Sequence, residues 1–146
     1  MSRGQHAWLW ATVLWIPLPT PAAAQTADHI PIALQYVAAQ ERVMEADADT
    51  ADVDSLLSFV TDDFTYVHPA MDGRVDGKAS ARAEILSHLR ETGDPTIRVS
   101  TAIEKGTIVT LVAQTSFRTR EGQTVSRENT IVLVFRDGKI ALRDDF

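Results

Sequence analysis

The sequence predicts an α+β domain: an antiparallel β-sheet with three helices against one side. Three observations carry that expectation. Apolar residues recur at helical spacing in three stretches, all before residue 95. From Ile97 onward the spacing changes to alternation, the period of a half-buried strand. Short turn sequences then separate the strand-like runs, at Lys105-Gly106, Arg120-Glu121-Gly122 and Arg136-Asp137-Gly138-Lys139. Turns that short join strands that reverse, so successive strands pair antiparallel.

The first 24 residues stand outside this pattern. Met1–His6 carry one basic residue, Arg3, and Ala7–Ile16 are almost wholly apolar. Pro17, Pro19 and Pro21 break any helix, and Ala22-Ala23-Ala24 offers a small-x-small cleavage site before Gln25. That layout predicts a secretory signal, cleaved near Ala24, and a secreted or periplasmic chain. The apolar core is shorter than the roughly 20 residues of a membrane span, the alternative being an uncleaved anchor or a buried helix. One domain is expected over residues 25–146.

Removing the signal removes all three tryptophans and moves the formal charge from −6 to −7. An acidic chain without a basic run argues against nucleic acid, and against a membrane surface once processed. There is no cysteine, so export brings no disulfide and the core must stabilise the domain unaided.

The elements follow in order. His29–Ala48 reads as a helix, with Ile30, Leu34, Val37 and Met44 near one stripe and Pro31 acceptable in its first turn. Tyr36 borders that stripe. It either packs in the core with its hydroxyl at the edge or reaches into a cavity. Asp47, Asp49, Asp52 and Asp54 lack the glycine and glutamate of a calcium loop, and read as a solvated connector opening the next helix. That helix, Asp52–Val60, places Val53, Leu56, Leu57 and Val60 on one face. Thr61-Asp62-Asp63 turns into a short strand, Phe64–Pro69, in which Phe64, Tyr66 and His68 share a face. Pro69–Gly77 reads as turns. Lys78–Thr92 is the third helix, with His88 at its rim, stopped by Gly93-Asp94-Pro95. Four strands close the chain. Ile97, Val99, Thr101 and Ile103 alternate in the first. Thr107–Thr119 carries Val109, Leu111, Ala113 and Phe117 on one face. Gln123–Phe135 carries Val125, Ile131, Leu133 and Phe135 in phase, with Arg127 and Asn129 on the same face. That face brings polar groups to a cavity or a dimer seam. Ile140–Phe146 is the last strand. Long curved strands with helices on one side would enclose a ligand pocket.

Three segments carry a resemblance: Asp62-Asp63-Phe64-Thr65-Tyr66-Val67-His68-Pro69, Gly73-Arg74-Val75-Asp76-Gly77-Lys78-Ala79 and Asp137-Gly138-Lys139-Ile140. They resemble the SnoaL-like branch of the nuclear transport factor 2-like superfamily. The resemblance implies a cone-shaped fold, a curved antiparallel sheet with three helices enclosing a pocket, often dimerising through the sheet. The superfamily spans steroid isomerases, polyketide cyclases, dehydratases, limonene epoxide hydrolase and non-catalytic domains, and fold alone does not choose among them. The basic aspartate of the steroid isomerases is matched by His68, while their protonated aspartate falls near Ile131, which cannot donate a proton. The strand tyrosine and asparagine of limonene epoxide hydrolase are matched by Tyr66 and His68. Its Trp-Arg-Asp-Tyr-Phe ending resembles Leu142-Arg143-Asp144-Asp145-Phe146, which places Asp144 at the aspartate. Its middle-strand Arg-x-Asp pair has no counterpart around Thr115–Arg118.

His68, Tyr66 and Asp144 are the candidate catalytic residues. A neutral imidazole exchanges protons near neutral pH. A phenol donates to a carbonyl or orients a water. Asp144, in phase with Ile140, Leu142 and Phe146, would hold the imidazole or act as the base, its pKa raised by an apolar face. In the structural alternative, His68 braces the loop at Pro69, Tyr66 fills the core and Asp144 is a frayed terminal residue. Tyr36, Phe64 and Asn129 are the candidate ligand contacts. His68, Asp144 and Glu128 have no metal-site spacing, and neither metal nor cofactor is expected. The expectation is an exported binder of a small apolar molecule, acting as a cofactor-free isomerase, dehydratase, cyclase or hydrolase, or else a non-catalytic homodimeric binding domain.

Overall fold

The computed structural model describes residues 28–68 and 73–146. The predicted signal over residues 1–24 and the turn at Asp72 lie outside the described residues. The elements are α1 (Ile30–Val43), α2 (Thr50–Leu57), β1 (Val60–His68), β2 (Gly73–Asp76), α3 (Lys78–Ser87), β3 (Thr92–Lys105), β4 (Ile108–Thr119), β5 (Thr124–Arg136) and β6 (Lys139–Asp145). No described helix is long and apolar enough to cross a membrane.

The three helices form where expected and are shorter or shifted for local reasons. α1 carries Pro31 in its first turn and stops at Val43, not Ala48. Residues beyond it are taken up in preparing α2. Arg42 Nη1 donates to Asp47 at 2.6 Å, and its Nε donates to Asp52 at 3.1 Å. Asp49 caps α2 by accepting from the Ala51 and Asp52 amides, while Asp52 accepts from the Asp49 amide. This reciprocal cap starts α2 two residues before the predicted Asp52. The aspartate cluster is therefore a connector and a cap. α3 ends at Ser87, because Arg90 turns to a left-handed φ of 67° and Thr92 pairs into β3 against Thr119. Gly93-Asp94-Pro95, expected to stop a helix, lies inside that strand.

The six strands form one sheet in the order β2-β1-β6-β5-β4-β3. β3 to β6 are successive antiparallel hairpins. The sheet is not wholly antiparallel, since β1 runs parallel to β6. Hairpins fix the direction of β6 relative to β3, but the crossing through α3 decides how β1 meets β6. β2 was expected as turn. It is a four-residue strand on β1, with Tyr66 opposite Val75 and His68 opposite Gly73.

The helices pack on one sheet face. There Val53, Leu56 and Leu57 of α2 and Ala33 and Val37 of α1 meet Val109, Leu111 and Ala113 of β4 and Ile131, Leu133 and Phe135 of β5. Each large side chain buried here stabilises the fold by about 1.5–3 kcal/mol. Register shifts occur between Val60 and Thr65 in β1 and between Gly93 and Thr96 in β3, and two further bulges reset which residues face the core and bend the sheet. In β3, Val99 faces Ala113 but Thr101 faces Val112, which leaves Ser100 over. Ile103, expected in phase with Ile97, therefore points to the opposite face and is 60% exposed. In β6, Phe135 faces Ile140 but Val134 faces Leu142, which leaves Ala141 over. Arg143 then lies opposite Leu133 on the core face, and Asp144 opposite Val132 on the other. The expected face of Ile140, Leu142, Asp144 and Phe146 is thus corrected: beyond Ile140, the residues turned inward are Arg143 and Asp145.

Candidate functional site

Between the helices and the inner sheet face lies a cavity of about 370 Å³. That size lies at the small end of ligand sites. α1 supplies Tyr36, Gln40 and Val43, with Met44 just after it, and α2 supplies Leu56 and Leu57. β1 supplies Phe64, Tyr66 and His68, α3 supplies Ile85, and Leu89 follows from the turn after α3. The wall is mostly apolar, as a hydrophobic ligand requires.

The polar groups collect in two places. The first is the floor, built on Arg143. Its guanidinium donates from Nε to Asp145 Oδ1 and from Nη2 to Asp145 Oδ2, both at 2.7 Å. This fork-on-fork pair is fully desolvated, each partner being 5% exposed. Nη1 donates to Gln40 Oε1 at 2.6 Å and to the Tyr36 hydroxyl at 3.3 Å. The Tyr66 hydroxyl donates to Asp145 Oδ2 at 3.2 Å. The guanidinium carbon lies 5.0 Å from the Tyr66 ring centre and 5.7 Å from that of Tyr36, at cation–π distance. Burial pushes the Tyr66 phenol well above its usual value; the Arg143 charge works against this and Asp145 adds to it. Tyr66 is a neutral phenol at any physiological pH. Burial works against the charge on Arg143, but Tyr36 and the Asp145 carboxylate more than offset it, and the guanidinium stays protonated.

The second place is the mouth. His68, at the end of β1, sets its ring edge-on to Tyr66 with centres 5.9 Å apart. Across the opening, His88 holds Glu91 through Nδ1 at 2.9 Å and Glu84 through Nε2 at 3.2 Å. The Glu91 hydrogen bond raises the His88 pKa above its usual value, slight burial opposes this, and Glu84 adds to the rise. Arg127 of β5 completes the rim.

The candidate residues thus divide. Tyr66, His68, Tyr36 and Phe64 line one cavity. Tyr36, left open between core and cavity, is 4% exposed and does both. Asn129 lies on the same sheet face but is not part of the cavity wall, and donates to the Thr115 hydroxyl at 3.3 Å. Asp144 is on the opposite face, away from Tyr66 and His68. Sequence reasoning missed Arg143, Asp145 and Gln40. The spacing Arg143-x-Asp145 was the available signal, since residues two apart on a strand share a face. Among the described residues, no group of three histidines or acids could hold a metal ion.

No curated protein sequence matches this chain. Among solved structures, an NTF2-like protein of unknown function from Burkholderia pseudomallei superposes with a TM-score of 0.68 at 16% identity, over 81% of this chain and 88% of that one. A putative SnoaL-like polyketide cyclase from Shewanella putrefaciens gives 0.67 at 12% identity, over 91% of both chains. An LEH-like epoxide hydrolase of M. tuberculosis gives 0.62 at 17% identity, over 79% of this chain and 81% of that one. At these identities the likeness is one of fold. The SnoaL-like domain pattern matches residues 41–143, from the last turn of α1 to the arginine of the cavity floor, and the chain belongs to the SnoaL-like domain family.

Proposed function

We propose that this is an exported small-molecule-binding protein that moves a proton on an apolar substrate without a cofactor. One observation carries the reading: Tyr66 and His68 stand in phase on β1, inside a cavity with apolar walls and a charge-paired polar floor. His68 is the group that exchanges the proton, because an imidazole ring can accept a proton at one nitrogen and donate one from the other. Asp145 is a poor base. Its lone pairs already receive two guanidinium N–H groups and the Tyr66 hydroxyl. Arg143 and Asp145 are instead positioning residues. They hold Tyr66 and Tyr36 against the substrate's path. Coarser support comes from proteins of similar fold, which include an epoxide hydrolase and a putative polyketide cyclase.

A substrate-independent test is base-catalysed opening of a nitrobenzisoxazole. The proton on its isoxazole carbon is removed as the ring N–O bond breaks, giving a coloured cyano-nitrophenolate. The wild-type protein should exceed free imidazole, and His68→Ala should lower the rate by roughly 10²-fold. An unchanged rate in the variant removes the catalytic reading. Export rests on residues 1–24: protein recovered outside the cytoplasm should begin at Gln25 by mass spectrometry, and retention of Met1 would remove that part.

A second reading, a non-catalytic homodimeric binding domain, is favoured by the open sheet face. There Ile103, Ile108 and Phe146 are 60%, 43% and 68% exposed. Ligand binding that survives His68→Ala, with no turnover of any compound, would select it.

A further inference from the structure

A buried arginine beside a cavity ordinarily reads as an anchor for an anionic ligand. Here the hydrogen bonds argue otherwise. The charge on Arg143 is already cancelled by the two-pronged Asp145 carboxylate. An incoming carboxylate or phosphate would meet a neutral pair, lose its hydration and face Asp145 across a short distance. At the mouth Glu84 and Glu91 are set against His88 and Arg127, so no excess of positive charge draws an anion in there.

What Arg143 does instead is use up acceptors. A guanidinium has only donors, so the side-chain atom of Gln40 facing Nη1 at 2.6 Å is the carbonyl oxygen. The Gln40 amide is thereby turned, with its NH₂ left over. The Tyr36 oxygen also accepts from Nη1, so its own O–H is left over. Among the described residues neither hydrogen-bonding group has an acceptor. Tyr36 and Gln40 are one turn apart on α1, on neighbouring positions of one helix face. Both line the cavity, whereas the Tyr66 proton is committed to Asp145.

We infer that the site takes a neutral, largely apolar ligand bearing a carbonyl-type oxygen, which accepts from both the Tyr36 hydroxyl and the Gln40 amide. A carbonyl oxygen has two lone pairs and no proton, so it complements two donors with nothing left unpaired. An alcohol would bring a third donor to a place without an acceptor. This rests on the small-molecule reading of the cavity and adds the chemical class of the ligand to it.

The test compares three naphthalenes of one shape, carrying at the same ring position an acetyl, an isopropenyl or a carboxylate group. Affinities are measured by calorimetry on the purified protein, with amide NMR shifts reporting whether the cavity residues respond. The ketone should bind about tenfold more tightly than its isosteric alkene, and the naphthoate at least tenfold more weakly than the ketone. In Tyr36→Phe, with the Gln40 amide still donating, the ratio of ketone to alkene affinity should fall about threefold. Naphthoate binding tightest, ketone and alkene binding equally, or a ketone preference undiminished in Tyr36→Phe each overturns this inference while leaving the cavity a binding site. If none of the three shifts any cavity residue, the small-molecule reading falls and this one falls with it.

Discussion

At the residue scale, the two adjacent acids near the C-terminus behave as opposites. Asp145 is buried under Arg143, while Asp144 is half-buried on the face without helices. Asp145→Asn would leave a desolvated guanidinium without a counter-charge, which costs about 3–5 kcal/mol. Asp144→Asn should stay within about 0.5 kcal/mol of wild type. Urea unfolding of the two variants checks both, and similar losses would contradict the register described for β6. A second expectation concerns His88. Glu91 and Glu84 favour its imidazolium, so its titration midpoint should lie above the ordinary 6.5. A folded-state pKa above the unfolded value contributes stability that is present below about pH 6.5 and is lost as pH rises through the folded midpoint. Glu91→Gln should lower the midpoint in an NMR titration; a midpoint at or below 6.5 in wild type would show that the clasp seen at the mouth does not form in solution. Tyr66 and His68 were legible from the sequence, since strand parity holds from Thr65 to His68, beyond the register shift between Val60 and Thr65. Asp145 was not, because alternation read back from Ile140 carries one residue too few. Nothing about Ala141 itself signals a bulge.

At the scale of elements, helices were legible where a sequence-local cause sets them, and their ends were not where a partner sets them. Leu56, Leu57 and Val53 mark α2 by spacing alone. Its start is set by Asp49, whose carboxylate accepts from two amides. Asp49→Ala should therefore cost about 0.5–2 kcal/mol by loss of the cap, and should lower the thermal midpoint correspondingly. The other acids of the cluster give a contrast. Asp47 is exposed, and its pairing with Arg42 is screened by water, so Asp47→Ala should change little. Equal effects of the two substitutions would mean that the cluster acts through charge and not through capping. β2 escaped the sequence reading for a different reason. Four residues with glycine first and alternating exposure carry no period long enough to recognise, and only the pairing of Tyr66 with Val75 makes them a strand. That pairing matters to the site, because it closes the cavity wall beside His68.

At the scale of the whole molecule, the sheet has one face committed to helices and one left open. The open face follows from the two bulges as much as from the strands. Ser100 turns Ile103 outward to join Ile108, Val112 and Val132, and Ala141 adds Leu142. Alternation alone assigned Ile103 and Leu142 to the core, so the extent of this apolar face was not legible from spacing. β3, β4 and β5 have 14, 12 and 13 residues, so these three strands give a face roughly 40 Å long and about 14 Å wide, which the shorter β6 and β1 widen. That area matches the ~800 Å² that each partner gives to an ordinary stable interface. Two copies meeting face to face would cover Val132 near its middle. A chain lacking residues 1–24 is therefore expected to sediment as a dimer at micromolar concentration. Val132→Lys would bury two ammonium groups close to the two-fold axis, where neither finds a counter-charge of its own. The variant should sediment as a monomer, and it should keep its cavity, because Val132 and the cavity lie on opposite sides of the sheet. Ligand affinity that is unchanged in the monomeric variant would separate the sheet's two faces into independent functions. A wild-type chain that already sediments as a monomer would instead leave this apolar face without a homodimeric role.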